Sequence, residues 1–225
     1  MLRRCKQTAD IVYRDGKKHQ KEKLRSSARV KYQAEHEQHA VSRAAKLPGN
    51  HKITREQTRK KIGVAPDRFM VLFPSNDHER KGAKLILDAI EGLDERLVLV
   101  VAGKAPLNHP AVLNLGFCPD MPSVYAAADV TVLASIYEPF GMVGPESVLC
   151  GTPVLLADTI GAVEVLTEPA CFSFAREAEV LRSLLLKMMK RFESGELELV
   201  SPERYIHYAY SFDAYLDELI GLLAS

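Results

Sequence analysis

Glu138-Pro-Phe-Gly-Met-Val-Gly-Pro-Glu146 lies between the apolar run Val130–Ala134 and a segment suited to a helix. The apolar run predicts a buried parallel strand. The end of the nonapeptide predicts a helix start, where Pro145 is tolerated because a first-turn N–H has no partner within the helix. Glu138 then lies on the loop at the strand's carboxyl end, and Glu146 lies about one turn into the helix.

Strands and helices alternate along the chain on both sides of this stretch. The predicted strands are Arg68–Pro74, Leu97–Ala102, Val112–Gly116, Val130–Ala134, Pro153–Ala157 and Cys171–Phe174. The predicted helices are Lys81–Gly92, Pro122–Ala128, Pro145–Cys150 and Glu177–Phe192. This alternation predicts an α/β fold, a doubly wound parallel sheet covered on both faces. Ligands bind such sheets at the carboxyl ends of the strands, where Lys81, Gly103, Glu138 and Glu146 are expected.

The residues between the two glutamates suit an anion. The backbone N–H groups of Phe140–Gly144 are predicted at a helix N-terminus, where unpaired donors and the helix dipole favour a group such as a diphosphate. Ionised carboxylates only accept hydrogen bonds, and sugar hydroxyls donate them. The spacing therefore suits a hexose at one glutamate, a ribose at the other and a diphosphate between them, which together make a sugar nucleotide.

The nonapeptide resembles the E-x7-E signature of retaining GT-B glycosyltransferases of the large group 1 family, family 4. Five other segments resemble elements of that family and follow its order, and together they extend the resemblance over roughly Arg68–Phe174. These segments are Ser75–Gly82, Val98–Gly103, Leu115–Asp129, Cys150–Val154 and Gly161–Val165.

The resemblance implies the Rossmann-like, donor-binding half of a GT-B enzyme. Lys81 and Glu138 match catalytic positions, with the lysine stabilising charge on the leaving diphosphate and the glutamate holding the sugar hydroxyls. Glu146 matches the residue that holds the ribose. The donor-binding positions implied in this way are Arg80, Gly103, Phe117, Phe140, Gly141, Met142 and Glu146. The resemblance implies no metal ion and no cofactor beyond the nucleotide-sugar substrate.

The loop before Lys81 departs from the family pattern. The family commonly has an arginine five or six residues before this lysine, where the chain has Asn76 and Ser75. One of the usual diphosphate cations is therefore missing. Lys81 and Arg80 also have a plainer interpretation, as exposed charges at a helix start. A cation in that position opposes the helix dipole, however, and an anion nearby explains it better.

The activity implied by the resemblance is transfer of a sugar, with retention, from a nucleoside-diphosphate sugar to a glycan or glycolipid acceptor. A lipopolysaccharide acceptor is favoured, because the arginine-poor loop before Gly82 resembles that of lipopolysaccharide-core glucosyltransferases. A UDP-linked donor is expected. Two alternatives stay open: a non-catalytic nucleotide-binding remnant, and one subunit of a split glycosyltransferase. A dehydrogenase is disfavoured because no G-x-G-x-x-G follows the first strand.

The chain has 225 residues, enough for one well-packed domain but too few for two full Rossmann-like domains. A complete enzyme of the family has two such domains, with the donor half second. We therefore expect a nucleotide-sugar-binding domain over residues 66–225. Residues 1–65 are expected to be a basic arm, or the remnant of a linker or acceptor domain.

The charge is distributed very unevenly. Residues 1–65 contain 18 Lys and Arg against 6 Asp and Glu, a charge balance of +12. Because the net charge of the chain is +1, residues 66–225 carry −11. Such an arm suits either a linker remnant or attraction to anionic lipid or an acidic partner. Nucleic acid is not expected, because aromatic residues are not interleaved with the basic ones.

The remaining features concern compartment and partners. Four cysteines without C-x-x-C spacing argue against a disulfide framework and a zinc site. Neither a secretory signal nor a run of about 20 apolar residues is found, so a cytoplasmic protein is expected, at most peripheral to the inner face of the membrane. An apolar stripe in the C-terminal segment predicts an acceptor-domain subunit or a second copy as partner. It comprises Tyr205, Tyr208, Phe212, Tyr215, Leu216, Leu219 and Leu223.

Overall fold

A computed structural model of the chain describes residues 51–207, which contain a six-stranded parallel sheet. Its strands are β1 (Phe69–Pro74), β2 (Leu97–Ala102), β3 (Val112–Gly116), β4 (Val130–Leu133), β5 (Val154–Ala157) and β6 (Cys171–Phe174). They lie in the order β3-β2-β1-β4-β5-β6, and every neighbouring pair is parallel. The predicted doubly wound α/β fold is confirmed.

Helices cover both faces of the sheet. They are α1 (His51–Ile62), α2 (Ala83–Ile90), α3 (Met121–Ala127), α4 (Val143–Leu149) and α5 (Ala178–Glu193). Helix α3 packs against α1 and α4, whereas α2 packs against α5. Because successive side chains of β1 point to opposite faces of the sheet, β1 packs against helices on both faces. Met70 and Leu72 pack in the cluster that contains Tyr125 of α3, and the ring of Phe69 lies 5.6 Å from that of Phe192 on α5.

The central strands are buried along their whole length, as their apolar sequences predicted. Every residue of β1, β4 and β5 is buried. A parallel sheet sandwiched between helices requires this, because neither of its faces meets water. The edge strand β3 is only partly buried.

Two of the four predicted helices begin two residues away from the predicted position, and α1 was not predicted. Helix α2 begins at Ala83 instead of Lys81, because Gly82 has a left-handed backbone conformation with φ 79°. Lys81 therefore belongs to the loop after β1. Helix α4 begins at Val143, before Pro145, which still lies within its first turn.

Helix α1 is joined to the sheet by a buried carboxylate. Asp129, immediately before β4, accepts hydrogen bonds from Arg55 and from Arg59, the latter at 2.5 Å. The same carboxylate accepts the N–H of Met70 in β1 at 2.6 Å. Arg59 is itself buried and donates to the carbonyls of Ala127 and three residues before β1.

This contact extends the domain to residues before the boundary expected at residue 66. Arg55, Arg59 and Val64 fall in the expected arm, yet they pack into the same core as β1 and α3. The described part of the domain therefore begins no later than Arg55, because Asp129 needs cationic partners once it is buried. Residues 1–50 of the arm, and the C-terminal stripe from Tyr208 onward, lie outside the described residues.

No helix within residues 51–207 is long and apolar enough to cross a bilayer.

We expect Asp129→Asn to lower the free energy of unfolding by about 3–5 kcal/mol, because it leaves two arginines without their buried counter-charge. Urea denaturation followed by circular dichroism measures the change. Asp94→Asn is the matched control, since Asp94 also pairs with an arginine, Arg96, but at the surface. A loss for Asp129→Asn no larger than for Asp94→Asn would contradict the proposed role of the carboxylate.

Candidate functional site at the carboxyl edge of the sheet

The loops that follow β1, β2 and β4 meet at the carboxyl edge of the sheet. Two glycines allow the approach: a Cβ atom on Gly82 would collide with the carbonyl of Ala134, and one on Gly103 with the carbonyl of Ser75. These contacts bring together three residues that the sequence predicted for the site, Lys81, Gly103 and Glu138.

Lys81 lies in the interior of this group. Its Nζ donates to the carbonyl of Pro74, the last residue of β1, at 3.2 Å. Burial lowers the pKa of Lys81, and the nearby Glu138 and Glu146 carboxylates partly oppose that shift. The structure therefore places a partly desolvated ammonium group at the end of β1, within electrostatic range of both predicted carboxylates.

Arg80 lies on the outer side of the same loop and contacts the second loop. Its Nη1 donates to Oε2 of Glu138 at 3.0 Å and to the carbonyl of Tyr137 at 3.2 Å, and its Nε donates to Oδ2 of Asp77 at 3.1 Å. The hydrogen bond to Glu138 raises the pKa of Arg80. The sequence placed Arg80 near a diphosphate and did not predict this ion pair.

The loop between the two glutamates is held against the segment that follows β5. The Glu138 carbonyl accepts the N–H of Gly161 at 3.2 Å, and the Phe140 carbonyl accepts that of Ala162 at 2.7 Å. Gly141 has φ 92°, and a Cβ atom there would collide with Ile160. The conformation of the loop is therefore set by contacts with a distant part of the chain.

One of the predicted anion-binding amides is already engaged. The N–H of Gly144 donates to the carbonyl of Gly141 at 2.9 Å, which corrects the expectation that the amides through Gly144 are available. The cause is the earlier start of α4, because the N–H of Gly144 lies in its first turn and is hydrogen-bonded there. The amides of Gly141 and Met142 lie ahead of that turn, at the N-terminus of the helix.

Glu146 is held by a residue that the sequence reasoning missed. The hydroxyl of Tyr125 donates to Oε2 of Glu146 at 3.0 Å. Tyr125 is buried, and its pKa is raised well above the usual value by burial and by the Glu146 carboxylate. The signal was present in the sequence as a tyrosine in the predicted helix before Asp129, but nothing local indicated which residue its hydroxyl would meet.

Phe117 lies at the same edge, beyond β3. Its side chain is 70% exposed, and Nζ of Lys104 lies 5.8 Å from the centre of its ring. Asn76, one of the two positions at which the resemblance implies an arginine, joins these loops, because its Oδ1 accepts the N–H of Lys104 at 2.8 Å. His78 has a similar joining position, within 2.9 Å of both the Ser75 hydroxyl and the Ala105 carbonyl.

A cavity of about 1030 Å³ lies elsewhere, beside α1 and the segment that follows α5. Its lining includes the Arg55–Asp129 pair and apolar residues such as Val64 and Leu199, and none of the predicted site residues. Among residues 51–207, no group of three or more His, Cys, Asp or Glu side chains is arranged to hold a metal ion.

Comparison with known proteins identifies the family. The model for "Glycosyl transferases group 1" matches residues 54–191. The chain belongs to the group 1 glycosyltransferases. The matched segment begins within α1, in agreement with the packing of that helix onto the domain.

Individual relatives agree with this family. A "probable transglycosylase" of Burkholderia thailandensis is 37% identical over 227 residues, which cover 84% of this chain and 62% of that protein. Anabaena HepE, solved in complex with UDP and glucose, has a TM-score of 0.63 at 22% identity, over 77% of this chain and 52% of HepE. WaaG, a glycosyltransferase involved in lipopolysaccharide biosynthesis, has a TM-score of 0.57 at 22% identity, over 75% of this chain and 51% of WaaG. The chain thus spans between half and two thirds of the length of these proteins.

The close approach at Gly82 leads to a stability prediction. We expect Gly82→Ala to destabilise the protein more than Gly151→Ala does. Both glycines have positive φ, 79° and 84°, so both variants carry the left-handed penalty of about 1–2 kcal/mol. Only Gly82 also faces a backbone carbonyl, since nothing lies within 4 Å of a Cβ atom at Gly151. Chemical denaturation of the two variants measures the difference, and equal losses would contradict the close contact between the loops.

Proposed function

We propose that this chain is the donor-binding half of a retaining group 1 glycosyltransferase that binds a nucleoside-diphosphate sugar. One observation carries the proposal: a partly desolvated lysine and two held carboxylates lie together at the carboxyl edge of the sheet. This edge is where doubly wound sheets bind ligands. Membership of the family supplies the reaction class.

Lys81 is proposed to bind the diphosphate. A cation that has lost part of its hydration attracts an anion more strongly than an exposed one does, because less water competes for it. When the sugar leaves, charge develops on the diphosphate, and a lysine already in position stabilises that charge without reorganising. The amides of Phe140, Gly141 and Met142 are proposed to share the phosphate oxygens.

The two glutamates are proposed to bind opposite ends of the donor. Glu138 accepts hydrogen bonds from the sugar hydroxyls, and Glu146, held by Tyr125, accepts those of the ribose. Carboxylates in glycosidases act as an acid–base pair or as a nucleophile. Here each glutamate is held by a neighbouring side chain, which suits binding, and we assign neither as a nucleophile.

A UDP-linked donor is supported by HepE, which shares the fold and was solved with UDP and glucose. A glycan or glycolipid acceptor, as in lipopolysaccharide, is supported by the likeness to WaaG. Gly103 and Phe117 border the proposed donor site on the side of β2 and β3. We place the reaction in the cytoplasm, where the basic N-terminal residues suit the anionic inner face of a membrane.

A second candidate is a subunit of a split glycosyltransferase, or a binding module without turnover. Transfer requires the anomeric carbon and the acceptor hydroxyl to be held together. The acceptor would then be supplied by a separate subunit or by a second copy of the chain.

We expect Lys81→Ala to weaken UDP binding about tenfold or more, because a hydrogen bond to a charged group contributes about 1.5–3 kcal/mol. Isothermal titration calorimetry measures the affinity. Lys84→Ala is the control, since Lys84 is a neighbouring lysine whose side chain is exposed and paired with Asp88. If UDP binds equally well to the Lys81 variant and to the wild type, the proposed diphosphate site is wrong.

Variants of the two glutamates should differ in their affinities for UDP and UDP-glucose. We expect Glu146→Gln to weaken the binding of both ligands, and Glu138→Gln to weaken the binding of UDP-glucose alone, because only the sugar reaches Glu138. Glu79→Gln, which changes an exposed carboxylate of the first loop, should alter neither affinity. Equal loss of UDP in both site variants would refute the division of roles.

A further inference from the structure

Arg80 connects the two loops that carry the proposed catalytic residues. We infer that Arg80 is a positioning residue for Glu138, which orients the carboxylate towards the donor sugar and does not itself bind the diphosphate. The inference rests on the proposed function and deepens it. It corrects the simple interpretation in which two adjacent cations, Arg80 and Lys81, both serve the phosphates.

The guanidinium of Arg80 is held on two sides. Its Nε donates to Oδ2 of Asp77 at 3.1 Å, and its Nη1 donates to Oε2 of Glu138 at 3.0 Å and to the carbonyl of Tyr137 at 3.2 Å. The planar fork of arginine fixes the angle between these bonds, which a lysine ammonium does not. Arg80 therefore restrains the Glu138 carboxylate through one of its two oxygens.

The backbone around the ion pair is already fixed. The carbonyl of Arg80 accepts the N–H of Ile136 at 2.9 Å, and the carbonyl of Glu138 accepts that of Gly161 at 3.2 Å. The main freedom left to Glu138 is in its side-chain torsions, which Arg80 restrains. Holding a binding group in its bound orientation lowers the entropic cost of recognition.

The adjacent cations differ in surroundings as well as in partners. The Lys81 ammonium points to the end of β1, and burial lowers its pKa. The Arg80 side chain is 43% exposed and is bound to two carboxylates. An arginine whose charge is already neutralised attracts a diphosphate weakly, whereas Glu138 retains acceptor positions, because an ionised carboxylate has about four of them.

The test is the ratio of the UDP-glucose affinity to the UDP affinity, measured by titration calorimetry on the intact chain. We expect Arg80→Gln to leave the UDP affinity within about twofold and to lower the ratio as far as Glu138→Gln does. Arg80→Lys should recover only part of the ratio, because an ammonium lacks the planar fork. The double variant Arg80→Gln/Glu138→Gln should be no worse than Glu138→Gln alone, since the two residues act as one unit.

The control is Arg96→Gln, which removes another arginine bound by two carboxylates, those of Asp94 and Glu193. It should leave both affinities unchanged. If Arg80→Gln weakens UDP and UDP-glucose equally, Arg80 binds phosphate and the inference is wrong. Additive losses in the double variant would also overturn it. If Glu138→Gln itself leaves the ratio unchanged, the proposed sugar role of Glu138 fails together with the inference.

Discussion

The candidate site depends on two places where backbone meets backbone without room for a side chain. Gly82 lies against the carbonyl of Ala134, and Gly103 lies against that of Ser75. These contacts draw the loops after β1, β2 and β4 into one group, at the edge where a parallel sheet presents its strand ends. A methyl group at Gly82 would push apart the loops that carry Lys81 and Glu138, and one at Gly103 would push apart the loops after β1 and β2.

In and beside that group, three of the predicted charged residues have partners within the protein. Glu138 is bound by Arg80, Glu146 by Tyr125, and Lys81 by the Pro74 carbonyl. Charged groups that are already oriented interact effectively with a ligand, because no further reorganisation of the protein is needed. Asn76, in the loop after β1, ties two of the loops together, because its Oδ1 accepts the N–H of Lys104.

The opposite edge of the sheet serves stability. Asp129 binds two arginines of α1 and the backbone of β1, so the helix before the first strand is part of the domain. The family match, which begins at residue 54, includes the same helix. The candidate site and this buried ion pair thus lie at opposite edges of the sheet.

The sequence by itself determined the six strands, four of the five helices within residues 51–207 and the chemical types of the candidate site residues. Runs of apolar residues are local, so all six strands were predicted to within one residue at each end. What only the tertiary structure decided is which side chains meet. Arg80 and Glu138 are 58 positions apart and Tyr125 and Glu146 are 21 apart, and no local pattern encodes such pairs. Their meeting follows from the strand order, since β1 lies beside β4 although β2 and β3 intervene in the chain. Helix α1 and the engaged Gly144 amide were missed for the same reason, because each depends on a partner that sequence spacing does not reveal.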